Sequence, residues 1–77
     1  MKSMQISLQM ASQVKDFVGI VQNYAYDIEL HSERYVVDAK SLLGIFSLDL
    51  SKAIDLNIHN EDNIETILTM LKPYIVE

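Results

Sequence analysis

No cysteine and no tryptophan occur in this 77-residue chain, which also has only one proline and two glycines. Without cysteine, neither a disulfide nor a thiolate zinc site can supplement a small core. Stability must then come from apolar burial, in a domain near the lower size limit for unaided folding. The scarcity of glycine and proline, with a charged fraction of only 22%, excludes a low-complexity disordered chain. Positive charge is also short, with six Lys and Arg against eleven Asp and Glu for a net charge of −5. Binding to nucleic acid needs clustered cations against phosphate, so a direct nucleic-acid ligand is not expected. No apolar run approaches the roughly 18 residues of a membrane span, and the N-terminus lacks a signal-peptide pattern. A soluble, cytoplasmic protein with no membrane contact is the expectation. No Ser-His-Asp set, P-loop or glycine-rich dinucleotide turn is present, so no cofactor is implied.

The chain does have 49% hydrophobic residues in periodic order. Met4, Ile6 and Leu8 alternate with Gln5 and Ser7, the period of a half-buried strand. Met10, Val14, Phe17, Val18 and Val21 then form the stripe of an amphipathic helix ending near Asn23 or Tyr24. Tyr26, Ile28 and Leu30 alternate with Asp27, Glu29 and His31. A polar turn over residues 32–34 leads to a second strand at Val36-Val37. A short helix starts at Ser41, and Ile54, Leu56 and Ile58 alternate with Asp55, Asn57 and His59 in a further strand. Residues 60–63 offer N-cap candidates for a last helix carrying Ile64, Ile67, Leu68 and Leu71, which Pro73 ends. The order is βαββαβα, in one domain over residues 1–77. Half-polar strands and one-striped helices predict an α+β fold with helices on one side of an antiparallel sheet and water on the other.

The densest apolar stretch is Lys40 to Leu50, where Leu42, Leu43, Ile45, Phe46 and Leu48 fall within seven positions. A helix cannot turn all five inward, because Leu42 and Phe46 share a face roughly 100° from Leu43. This segment resembles the second helix of HPr, the histidine-containing phosphocarrier of the bacterial sugar phosphotransferase system. The resemblance is strongest from Asp38 to Ile58, in Lys40-Ser41, Gly44, Ser47-Leu48 and Lys52 followed by Asp55, and Phe17-Val18 resembles the Phe-Val of the family's first helix. It implies an open-faced β-sandwich with three helices on a four-stranded antiparallel sheet.

The family's phosphocarrier loop reads approximately Gly-[Leu/Ile]-His-Ala-Arg-Pro before the first helix. Counting back from Phe17-Val18 places Met10 at the histidine, Ser12 at the arginine and Gln13 at the proline. A thioether cannot be phosphorylated and a serine supplies no cation, so no catalytic residue is carried over. In this respect the chain is similar to Crh-type paralogues, which lack the active histidine.

Ser41 reads as an N-cap worth about 1 kcal/mol against alanine. The resemblance also makes it a regulatory phosphorylation site, with Asp38 opposing the added charge and Lys40 partly offsetting it. Leu42, Leu43 and Phe46 match the apolar patch through which HPr docks protein partners, and Leu42 and Phe46 are assigned to that surface ahead of the core. The implied partners are an HPr kinase or a transcription regulator; a homodimer through the same patch is a further possibility. His31 and His59 are read as surface histidines. If their strands are neighbours, Asp27, Glu29, His31, Asp55, Asn57 and His59 share the open sheet face, where a metal or a relocated phosphoacceptor histidine is the sharper alternative. No metal site is assigned. Tyr24, Tyr26, Tyr35 and Tyr74 are expected at the core's edge, and the four methionines as apolar fillers.

Overall fold

The two sequence periods become two layers. In the computed structural model, which describes residues 2–60 and 62–76, β1 spans Lys2–Ile6, α1 Ala11–Val21, β2 Ile28–Ser32, β3 Tyr35–Asp38 and α2 Leu42–Phe46. β4 follows at Ile54–Ile58 and α3 at Glu65–Leu71, then a 3-10 turn at Lys72–Tyr74 and β5 at Ile75–Val76. The α+β class and the order βαββαβα hold, but among the described residues the sheet has five strands, not four. The order is β3-β2-β4-β1-β5, and all pairings are antiparallel. The fifth strand exists because Pro73, which has no N–H, closes α3 in the 3-10 turn. The Ser7 N–H then donates to the Tyr74 carbonyl at 2.8 Å, and β-branched Ile75 and Val76 run against Ile6 and Gln5.

Alternation fixes which side chains reach the core. Ile28 and Leu30 of β2, Ile54, Leu56 and Ile58 of β4, and Ile6 of β1 are all buried on one face. Above them lie Val14, Phe17, Val18 and Val21 of α1, Ile45 of α2, and Ile67 and Leu71 of α3. Each such side chain contributes roughly 1.5–3 kcal/mol relative to exposure. Phe17 meets Tyr74 edge to face, with ring centroids 6.2 Å apart and an interplanar angle of 85°.

Several local expectations change. α1 ends at Val21, because the N–H groups of Asn23 and Tyr24 fold back onto the carbonyls of Ile20 and Val21 in a tight last turn. The N-cap of α3 is Ile64, with no side-chain cap; the Asn60 amide donates instead to the Asp62 carbonyl, and Asn63 takes φ 59°. Glu61 lies outside the described residues. The β2–β3 connection is a two-residue turn, with Ser32 opposite Tyr35 and Glu33 at φ 56°, a left-handed position that glycine normally fills. Tyr35 is exposed rather than at the core's edge, and Met10 and Met70 are surface residues, not fillers. Met10 opens the α1 stripe in sequence, but at the N-cap the chain is still extended and its side chain points away from the core.

Candidate functional site

The site begins with the turn that launches α2. The Asp38 carboxylate accepts the Lys40 N–H at 2.8 Å, and the Ser41 N–H donates to the Asp38 carbonyl at 2.9 Å. Together these bonds hold Ser41 extended, at φ −99° and ψ 106°, where its hydroxyl oxygen accepts the Gly44 N–H at 3.2 Å. Ser41 is the N-cap its sequence position implied.

Of the five apolar residues in this stretch, Ile45 and Leu48 are buried. Leu42, expected at the partner surface ahead of the core, is half-buried and packs on the core with part of its side chain still accessible. Leu43 is the residue turned to water, at 83% exposure, with Phe46 at 40%. The difference follows from the single turn of α2, which has room to bury only the face centred on Ile45. Gly44 permits α2 to lie this close to β3, since a β-carbon there would stand 3.3 Å from Val37 Cβ.

The Lys40 ammonium turns away from Ser41. Its Nζ donates to the carbonyls of Tyr24 and Tyr26, at 2.6 and 3.1 Å, tying the α1–β2 loop to the start of α2. A sequence reading that gave this cation to Ser41 missed those two carbonyls, and no local pattern signals them.

The N-terminus of α1 holds the three residues aligned with a phosphocarrier loop. Only residues 7–10 separate β1 from α1. Met10 is the exposed N-cap, and Ser12 is exposed in the first turn. Gln13 reaches back so that its Oε1 accepts the N–H groups of Gln9 at 2.9 Å and Met10 at 3.1 Å. This is the return half of a capping box, legible in hindsight from a glutamine three positions after the N-cap.

On the sheet's other face, β2 and β4 are neighbours, with Glu29 opposite Asn57 and His31 opposite Asp55. One Glu29 oxygen, Oε1, accepts from His59 Nε2 at 2.9 Å and from His31 Nε2 at 3.1 Å. Because a carboxylate only accepts, both Nε2 atoms carry hydrogen in these bonds. These bonds to His59, and then to His31, hold the Glu29 carboxyl below its ordinary range. The row continues with Gln5 donating to Asp55 at 3.0 Å and Ser3 to Asn57 at 2.7 Å. Asp27, Asp38 and Lys40 line a cleft of about 430 Å³ beside His59. Among the described residues, no three histidine or carboxylate groups surround a common metal position.

No family model matches the sequence, and neither does any curated protein. Solved structures do. HPr-C-His from Thermoanaerobacter tengcongensis superposes with a TM-score of 0.79 at 25% identity, over 96% of this chain and 91% of that one. The phosphocarrier protein HPr from Bacillus anthracis str. Ames gives 0.71 at 25% identity, over 95% of this chain and 93% of that one. The chain is HPr-like. The likeness spans almost the full length of both HPr chains. No helix among the described residues of this HPr-like chain is long and apolar enough to cross a membrane.

Proposed function

We propose that this HPr-like chain is a non-catalytic regulatory module of a bacterial sugar phosphotransferase system, binding a protein partner through α2. The observation that carries the reading is Leu43, a large apolar side chain at 83% exposure beside half-exposed Phe46, on a helix whose inward face is already filled by Ile45. Neither residue contributes to the core, so their apolar character serves contact with something else. The chain's two histidines, His31 and His59, both lie on the opposite, sheet side. Met10, Ser12 and Gln13 provide neither a phosphoacceptor histidine nor a cation at the α1 N-terminus.

Resemblance to HPr names an HPr kinase or a transcription regulator as the partner, with Ser41 as the phosphorylated residue. A phosphate on Ser41 would keep an acceptor for the Gly44 N–H while adding charge next to Asp38, with Lys40 committed elsewhere. Binding to HPr kinase tests the reading. Leu43→Asp and Phe46→Asp are each expected to weaken it at least tenfold while circular dichroism reports an intact fold. Unchanged affinity in both folded variants overturns it.

A second reading, a phosphoryl carrier using His31 or His59, draws on the Glu29 bonds that fix each ring through Nε2 and leave Nδ1 outside the contact. Against it, Asp27, Glu29, Asp38 and Asp55 share that face and would repel a phosphoryl dianion.

A further inference from the structure

We propose that the outer edge of β3 pairs with β3 of a second copy of this chain, carrying the sheet through both molecules about a two-fold axis at Val36. β3 has a strand neighbour on one side only, since the order is β3-β2-β4-β1-β5. Tyr35 and Val36 are 61% and 55% exposed, and Asp38 is exposed beside them. Sheets ordinarily guard an edge with lysine, proline, a bulge or a very short strand. No lysine or proline falls within Tyr35–Asp38, and its pairing with β2 runs unbroken. β5, at the other edge, is only two residues long.

The register shows which backbone groups this edge offers. The Ala39 N–H donates to the Ile28 carbonyl at 2.9 Å, in the register that sets Leu30 opposite Val37 and Ser32 opposite Tyr35. Hydrogen-bonded pairs alternate along an antiparallel ladder, so Val37 and Tyr35 bond inward to β2. The N–H and carbonyl of Val36 and the N–H of Asp38 therefore point away from the sheet. The Asp38 carbonyl is already taken by the Ser41 N–H.

A second copy fits this edge by backbone and by charge. With the two Val36 residues opposite each other, each Val36 N–H donates to the other's carbonyl, and each Asp38 N–H meets an Arg34 carbonyl. The same register sets Tyr35 against Val37 of the second copy, an aromatic with a β-branched side chain, and Arg34 against its Asp38. Asp38 also stands directly opposite Glu29 of β2, an unfavourable pairing of like charges. Arg34 of the second copy brings a cation to those two carboxylates. Within its own chain Arg34 is exposed and forms no ion pair among the described residues. Other registers lose this match: centred on Val37, Arg34 faces Lys40, and centred on Asp38, two aspartates meet. The contact is isologous and uses neither Leu43 nor Phe46, so it stands or falls separately from partner binding at α2.

A strand edge this short makes a small interface, so the dimer is expected to be weak, dissociating at roughly 0.1 mM. Sedimentation equilibrium of the full chain over a concentration series tests it. The average mass is expected to rise towards that of two chains, and less so at high salt. Val36→Pro removes an N–H that bonds nothing within the monomer, and is expected to raise the dissociation constant at least tenfold. Arg34→Asp, which opposes Asp38 with a like charge twice per dimer, is expected to raise it at least fivefold. Circular dichroism checks that both variants fold. Should Val36→Pro fail to fold, mixed isotope-labelled wild-type protein supplies the second measurement. An intermolecular contact between the α-protons of Tyr35 and Val37 is then expected at high concentration. A chain that stays monomeric up to about 1 mM overturns the proposal. So does association that survives both folded variants, or that Leu43→Asp abolishes and Arg34→Asp does not.

Discussion

A β-carbon on Gly44 would stand 3.2 Å from the Ser41 hydroxyl oxygen, the same oxygen that accepts the Gly44 N–H. The cap of α2 and its close approach to β3 are therefore one device. Alanine favours a helix interior over glycine by up to about 1 kcal/mol, but crowding against Ser41 and Val37 opposes that gain. Gly44→Ala is expected to lower stability by about 1 kcal/mol, and Ser41→Ala by about 1 kcal/mol. The double variant should cost less than the sum, because removing the hydroxyl removes part of the clash. Urea denaturation of all four proteins checks this, and strict additivity would show the two effects to be independent.

The Glu33 backbone predicts a gain. At φ 56°, a non-glycine residue stores roughly 1–2 kcal/mol. The Lys52–Glu33 ion pair at 3.3 Å is well exposed on both sides and contributes little. Glu33→Gly is expected to stabilise the protein by roughly 0.5–1 kcal/mol after glycine's own entropy cost. A rise in Tm by calorimetry checks it.

Lys40 acts on backbone, not on Ser41. Lys40→Met keeps the apolar stem but leaves the carbonyls of Tyr24 and Tyr26 without their ammonium donor. A loss of about 1–2 kcal/mol is expected, since hydrogen bonds to a charged donor exceed neutral ones. Amide exchange should quicken in the α1–β2 loop. Equal stability of the two proteins would return the cation to a role at Ser41.

Glu29 sets an acid dependence whose sign is fixed. Its folded carboxyl titrates below the unfolded one because His59 and His31 hydrogen-bond the ionised form. Its contribution is therefore fully present above the unfolded glutamate range, and is lost as pH falls from there through the folded value. Glu29→Gln should flatten the stability profile in that acid window and leave the rest nearly unchanged, as followed by urea midpoints at stepped pH. Because the carboxylate is solvent-exposed, a small amplitude that shrinks with added salt is expected.

Periodicity made most of this fold legible. The stripe Val14, Phe17, Val18 and Val21 and the alternation Ile54, Leu56 and Ile58 each point to one buried face, and all seven are buried. What stayed hidden depends on groups distant in sequence, or on backbone that side chains do not announce. β5 is two residues long and exists only because Pro73 turns the chain back to Ser7. Glu33 occupies a left-handed position that no local residue preference forecasts. At the site, Ser41 was legible because N-capping is local, whereas the half-buried setting of Leu42 was not, because one turn of helix has no long-range pattern to orient it. Glu29, His31 and His59 could be placed on one face from their spacing, but only the β2–β4 register brings both rings to a single carboxylate oxygen.

Intact mass distinguishes an HPr-like chain that works through α2 from a phosphohistidine carrier. The protein and its Ser41→Ala variant are incubated separately with ATP plus HPr kinase, and with phosphoenolpyruvate plus Enzyme I. One added phosphoryl group is expected with ATP and kinase, stable to acid and absent from Ser41→Ala, and no addition with phosphoenolpyruvate. An acid-labile phosphoryl group acquired only from phosphoenolpyruvate and Enzyme I, in both proteins alike, would contradict a role through α2.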